Sequence, residues 1–153
     1  MTTFPVIIRR AVVADVEQLA LLFDAYRQFY SQPADFDRAR GFVKERLARG
    51  ESVVFLAESN TGSIVGFTQL YPVFSSVSAA RTFLLNDLFV ATEARRQGVA
   101  ARLLDAAVEF ARGSRALRLT LSTAITNTTA QALYEREGWH RESGYVEYSL
   151  QLL

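Results

Sequence analysis

The sequence predicts an α/β (α+β) domain: a mixed, mostly antiparallel central sheet flanked by helices, in the order β-α-α-β-β-β-α-β-α-β. Three observations lead there. The chain has 153 residues and is half hydrophobic, enough for one sizeable core. Apolar residues at helical spacing alternate irregularly with short β-branched runs. Strands sit next to one another in the middle of the chain, which is not the regular alternation of a doubly wound fold.

Val6–Arg10 reads as the first strand. Asp15, with Gln18 three residues on, opens a helix whose Val16, Leu19, Ala20, Phe23, Tyr26, Arg27 and Tyr30 form a mostly apolar stripe. Pro33 breaks it. The second helix runs over about Asp37–Arg49 and stops at Gly50. Ser52–Glu58 and Ile64–Tyr71 are strands joined by the hairpin turn Asn60-Thr61-Gly62. After the small-residue loop Ser75–Ala80, Thr82–Val90 is the next strand. Gly98–Arg112 is helical, Leu117–Thr123 a strand, Thr129–Glu137 a short helix closed by Gly138, and Tyr145–Leu150 a final strand. No repeat or linker interrupts this order, so the whole span 1–153 is expected to be one domain.

Composition narrows the function. Seventeen basic against sixteen acidic residues leave a formal charge of +1, which argues against a broad nucleic-acid surface. The sequence has no cysteine and a single histidine, His140, so thiolate metal sites and two-histidine chemistry are excluded and no metal is expected. Met1–Arg10 is too short in apolar residues for a signal peptide and no stretch reaches bilayer length. A cytoplasmic protein with no membrane partner is the expectation.

Two segments carry chemistry. Leu84-Leu85-Asn86-Asp87-Leu88-Phe89-Val90 ends in a polar loop, and Arg95-Arg96-Gln97-Gly98-Val99-Ala100-Ala101 then runs straight into a helix. A helix start offers unpaired N–H groups and the positive end of the dipole, which suits a phosphate. Glycine at position 98 lets an anion approach the main chain. Neither G-x-G-x-x-G nor G-x-x-x-x-G-K-[ST] is present. In the second segment, Asn127 stands at the edge of a short helix and Tyr134 lies seven residues on, about two turns along.

Together these segments resemble the GNAT superfamily of N-acetyltransferases. Its loop signature [Q/R]-x-x-G-x-[G/A] is matched by Arg95, Gly98 and Ala100; its downstream signature is matched by Asn127, Ala130, Leu133-Tyr134 and Gly138-Trp139. The strand Leu85–Val90 looks most like the branch of diamine and histone-type amine acetyltransferases. The resemblance implies transfer of an acetyl group from acetyl-CoA to a primary amine of a small molecule or protein by direct attack. A non-catalytic acetyl-CoA sensor is the alternative.

By the same resemblance, backbone groups of Leu88, Phe89 and Val90 pair with the pantetheine arm, and the Leu88 N–H polarises the thioester carbonyl. Arg96, Gln97, Gly98, Val99, Ala100 and Ala101 wrap the pyrophosphate, chiefly through main-chain donors, and Arg95 adds charge to the cofactor site without its side chain needing to touch the ligand. Asn127 and Ala130 hold the far part of the arm. Tyr134 is the general acid that protonates the departing thiolate. Asn86 stands where relatives often place a glutamate base. The adjacent Asp87 is the candidate carboxylate, although strand alternation turns it to the other face, where it equally suits a sheet bend or helix contact, and a water chain that removes the proton is the alternative. Tyr26 and Tyr30, with Asp35 and Asp37, are read as a helix edge and solvated loop, with an acceptor cleft as the alternative. Trp139 is expected in the core and His140 in a turn. A homodimer joined through the C-terminal strand fits family habit.

Overall fold

The computed structural model describes residues 5–153. It divides into two compact units, Met1–Ser122 and Thr123–Leu153.

The larger unit is a five-stranded sheet in the spatial order β1-β2-β3-β4-β5. β1 is Val6–Arg10, β2 Val53–Ser59, β3 Ile64–Ser75, β4 Ala80–Val90 and β5 Leu119–Thr120. The first four strands pair antiparallel and β5 joins β4 parallel, giving the expected mixed sheet. The β2–β3 turn closes on Gly62, whose φ of 83° is left-handed, with Ser59 N–H bonded to Ser63 C=O at 2.8 Å. β3 and β4 run several residues beyond their expected ends, because their arms keep pairing as far as Ser75 and Ala80.

Helices cover both faces. On one, α1 (Val16–Phe29) and α2 (Phe36–Ala48) bury Leu19, Ala20, Phe23, Ala39 and Val43 with Val54, Leu56 and Phe67 of the sheet. On the other, α3 (Val99–Gly113) lays Val99 and Leu103 beside Ala57, Val65 and Val90. Gly66 makes room for this packing: a Cβ there would stand 3.2 Å from Leu103 Cδ1 and 3.3 Å from the Phe89 carbonyl. α1 starts one step differently from the expected capping pair. Asp15 accepts from the Val12 N–H at 2.7 Å and pairs with Arg9, and a 3₁₀ turn, Val13–Asp15, leads into the helix. Asp35 caps α2 by accepting from the Arg38 N–H at 3.0 Å.

The smaller unit is built on α4 (Thr128–Arg136). Asn127 caps it, its Oδ1 accepting the Ala130 N–H at 3.2 Å, and Gly138 ends it at a φ of 89°. Trp139 is half-buried with its ring centroid 6.2 Å from that of Tyr134, rather than a core residue. The expected last strand, Tyr145–Leu150, does not form: no ladder pairs it, and Tyr145, Val146, Tyr148 and Leu150 are exposed. Alternating apolar residues make a segment fit to pair, but a strand exists only where a partner supplies the ladder. The Leu117–Thr123 strand is likewise reduced to Leu119–Thr120, where β4 gives it a partner. No described helix is long and apolar enough to cross a membrane.

Candidate active site

β4 holds the centre of the larger unit's site, and one irregularity in it decides what faces where. Val90 lies opposite Gly66 and Asp87 opposite Gln69, but Leu85 lies opposite Leu70, so Asn86 is an extra, bulged residue. The Ala91 N–H donates to the Val65 carbonyl at 2.8 Å. Antiparallel pairs alternate between bonded and non-bonded, so Phe89 and Asp87 turn their backbone groups toward β3. Leu88 and Val90 turn theirs to the other edge.

Before the bulge the outward set has the opposite parity. Arg81 and Phe83 are bonded on that side, to Leu117 N–H at 2.8 Å and Arg118 C=O at 3.1 Å. β5 stops pairing at Leu84, so among the described residues no strand covers Leu88 and Val90. Of the three residues expected to offer backbone to an added strand, Leu88 and Val90 face the uncovered edge, whereas Phe89 is paired with Phe67.

The chain then turns into the loop before α3. Arg96 has a φ of 60° and Gly98 one of 79°, both left-handed, and Gly98 is the N-cap of α3. The first bond within the helix is Arg102 N–H to Gly98 C=O at 3.2 Å, so the N–H groups of Val99, Ala100 and Ala101 have no partner inside it. No acidic residue stands in that first turn to compete for them. A short run of N–H groups around left-handed residues forms a concave anion cradle. Holding the non-glycine Arg96 there costs about 1–2 kcal/mol, a strain typical of functional loops.

Arg95 does not join the cradle. Its Nε donates to the Val90 carbonyl at 2.8 Å, and its guanidinium lies 5.6 Å from the Phe29 ring centroid and 5.3 Å from that of Phe89. The signature arginine is thus a clamp tying the end of β4 to the end of α1. Gln97 turns back to donate to the Glu93 carbonyl at 3.2 Å.

The face under α1 and α2 collects polar groups. Asp87 is 4% exposed and receives Gln69 Nε2 at 2.8 Å and Asn86 Nδ2 at 3.0 Å. Burial first, then the Asp87 charge and a hydrogen bond to it, push the Tyr26 phenol well up. Tyr71 is pushed up to about 12 by burial and the Asp87 charge, with Arg46 opposing. Tyr26 is half-buried against the core and faces Asp87, whereas Tyr30 and Asp37 are exposed and Asp35 serves as a helix cap. Gln69 and Tyr71 are the residues that sequence reasoning passed over. The signal was a glutamine inside the otherwise apolar strand that holds Phe67 and Leu70.

These tyrosines have a consequence for stability. Their neutral forms are favoured in the fold, so their contribution is complete below about pH 10 and is lost as pH rises through the raised values. Urea midpoints at about pH 8 and 11 are expected to fall less steeply in Tyr71→Phe than in the parent chain. Equal slopes would show that Tyr71 ionises as freely folded as unfolded.

A free strand edge running into a left-handed loop and a bare helix start is a surface that suits an extended ligand ending in a phosphate. The comparisons agree, and the chain belongs to the acetyltransferase (GNAT) family, whose model matches residues 17–139. It is 48% identical over 143 residues to the uncharacterized N-acetyltransferase YhfO of Bacillus subtilis, covering 94% of this chain and 95% of that one. The crystal structure of a "probable acetyltransferase" superposes with a TM-score of 0.91 at 40% identity, over 96% of this chain and 98% of that one. A "predicted acetyltransferase with acetyl-CoA" from Clostridium acetobutylicum shares the fold, with a TM-score of 0.75 at 17% identity and coverage of 94% and 96%.

Proposed function

We propose that this protein transfers an acetyl group from acetyl-CoA to a primary amine by direct attack. The observation that carries the reading is the uncovered edge at Leu88 and Val90 leading into the Gly98 cradle. One ligand with an extended amide arm and a pyrophosphate suits both parts at once. The family membership and the acetyl-CoA-bound neighbour support it.

In this reading Leu88 and Val90 pair with the arm through main-chain groups, and the Leu88 N–H polarises the carbonyl. Gly98, Val99, Ala100 and Ala101 hold the pyrophosphate by backbone donors, with Arg96 and Gln97 completing the loop. Phe89 contributes its side chain to the acceptor face, and Arg95 fixes the loop's origin. Asn127 and Ala130 keep their assigned place on the far arm. The amine nitrogen forms the new N–C bond as the C–S bond breaks. Asp87 takes the proton the nitrogen sheds, and Tyr134 supplies one to the sulfur.

The reading extends to a cytosolic enzyme that pairs with a second copy. The exposed, alternating run Tyr145–Leu150, fit to add to another sheet, supports the pairing. Free-thiol release from acetyl-CoA across a panel of primary amines tests the activity, with longer acyl-CoAs run alongside. Amine-dependent release is expected, fastest with acetyl. Tight CoA binding without release for any amine would instead describe a sensor.

A further inference from the structure

Under α1 and α2 the chain leaves a buried carboxylate without a counter-charge and a buried amide oxygen without a donor. Asp87, 4% exposed, is bonded only by neutral donors, the amides of Gln69 and Asn86 and the Tyr26 phenol. None of the ion pairs among the described residues involves it. Arg46, whose charge reaches Tyr71, is committed to Glu45 and Glu51. Gln69 is 1% exposed, and with its Nε2 on Asp87 its Oε1 has no hydrogen-bond partner. A buried carboxylate without a counter-charge and an orphaned amide oxygen beside it are both costly, and one ligand relieves both. That ligand must carry positive charge and at least two N–H donors.

We propose that the acceptor enters as an alkylammonium ion, one N–H on the Asp87 carboxylate and another on Gln69 Oε1. This rests on the acetyltransferase reading, which makes this face the acceptor side. An ammonium has three donors and one charge, matching one carboxylate and one amide oxygen. A divalent cation would need more oxygen ligands, and no acidic or histidine group of three stands among the described residues. Tyr26 and Tyr71, which feel the Asp87 charge, are half-buried, and Asn86, bonded to Asp87, is exposed, so the neighbours of the carboxylate reach solvent. The same buried anion disfavours an amine with a carboxylate next to it. The substrate class is therefore the alkylamine rather than the free α-amino acid. Asp87 sets this preference and receives the proton of an ion it has already bound, while Gln69 Oε1 supplies the second acceptor that positions the ammonium.

An NMR titration of the whole chain with n-butylamine, protonated at about pH 7.5, against 1-butanol separates charge from shape without needing turnover. Butylammonium is expected to bind at least about tenfold more tightly than butanol. Gln69→Met and Gln69→Leu, each checked by thermal melting, are expected to weaken butylammonium about fivefold or more. Equal binding of the amine and the alcohol to the parent chain overturns the proposal, as does undiminished affinity in the folded Gln69 variants. Charge-selective binding with no thiol release from any amine upholds the cation site and removes the acetyltransferase reading. Thiol release that shows no preference for charged amines does the reverse.

Discussion

Tyr134→Phe is expected to lower kcat for thiol release about 100-fold while leaving the affinity for acetyl-CoA within about threefold. The departing thiolate needs a proton donor that is neutral at pH 7, and a phenol meets that demand where a carboxylate would not. Phenylalanine keeps the ring that lies 6.2 Å from Trp139 and disturbs neither the Asn127 cap nor the Gly138 stop. The helix should therefore survive, and thermal melting should confirm it. A drop in kcat with unchanged CoA affinity is the mark of a group needed only as the bond breaks. If kcat holds, solvent supplies the proton and Tyr134 is a packing residue of α4.

The helices and the β2–β3 hairpin were legible because their signals are local. Pro33, Gly50, Gly62 and Gly138 punctuate the chain where the backbone turns, and three of these glycines have left-handed φ values of 63°, 83° and 89°. The loop and the start of α3 were legible for the same reason: Gly98 before an apolar helix face carries its own geometry. What was not legible depends on partners. Tyr145–Leu150 has the alternation of a strand, yet alternation cannot say whether a neighbouring ladder exists.

The bulge at Asn86 is a second case. It inserts one residue opposite β3 and so decides that Leu88 and Val90, not Phe89, face the open edge. Nothing in Leu85-Asn86-Asp87-Leu88 announces it. Asp87 is buried where Asn86 is exposed, yet the bulge lets the Asn86 amide reach its carboxylate, and its burial among Tyr26, Gln69 and Tyr71 brings together three elements far apart in sequence. Arg95 was expected to matter little through its side chain at the phosphate. The reason became visible only when Phe29, from the end of α1, was found against it.

Gly98→Val is expected to raise the KM for acetyl-CoA more than tenfold, and more than Arg95→Ala does. A Cβ at position 98 would meet no atom of the chain within 4 Å, so no internal clash is involved. Two other effects act. The left-handed φ of 79° is costly for a β-branched residue, and in the proposed reading a side chain there takes space at the helix start that the pyrophosphate would use. Gly98→Asn separates them, since asparagine tolerates the conformation but still fills the space. If valine and asparagine weaken CoA alike, close approach of the ligand to the backbone is the cause; if asparagine binds normally, strain is. Arg95→Ala removes the bond to the Val90 carbonyl and two ring contacts, together about 1–2 kcal/mol of stability, and should lower the melting temperature by several degrees. Because that guanidinium faces Phe29 and Phe89, its loss should be felt in the amine KM before the CoA KM. A larger loss of CoA affinity from Arg95→Ala than from Gly98→Val would mean that charge, and not the bare helix start, holds the pyrophosphate.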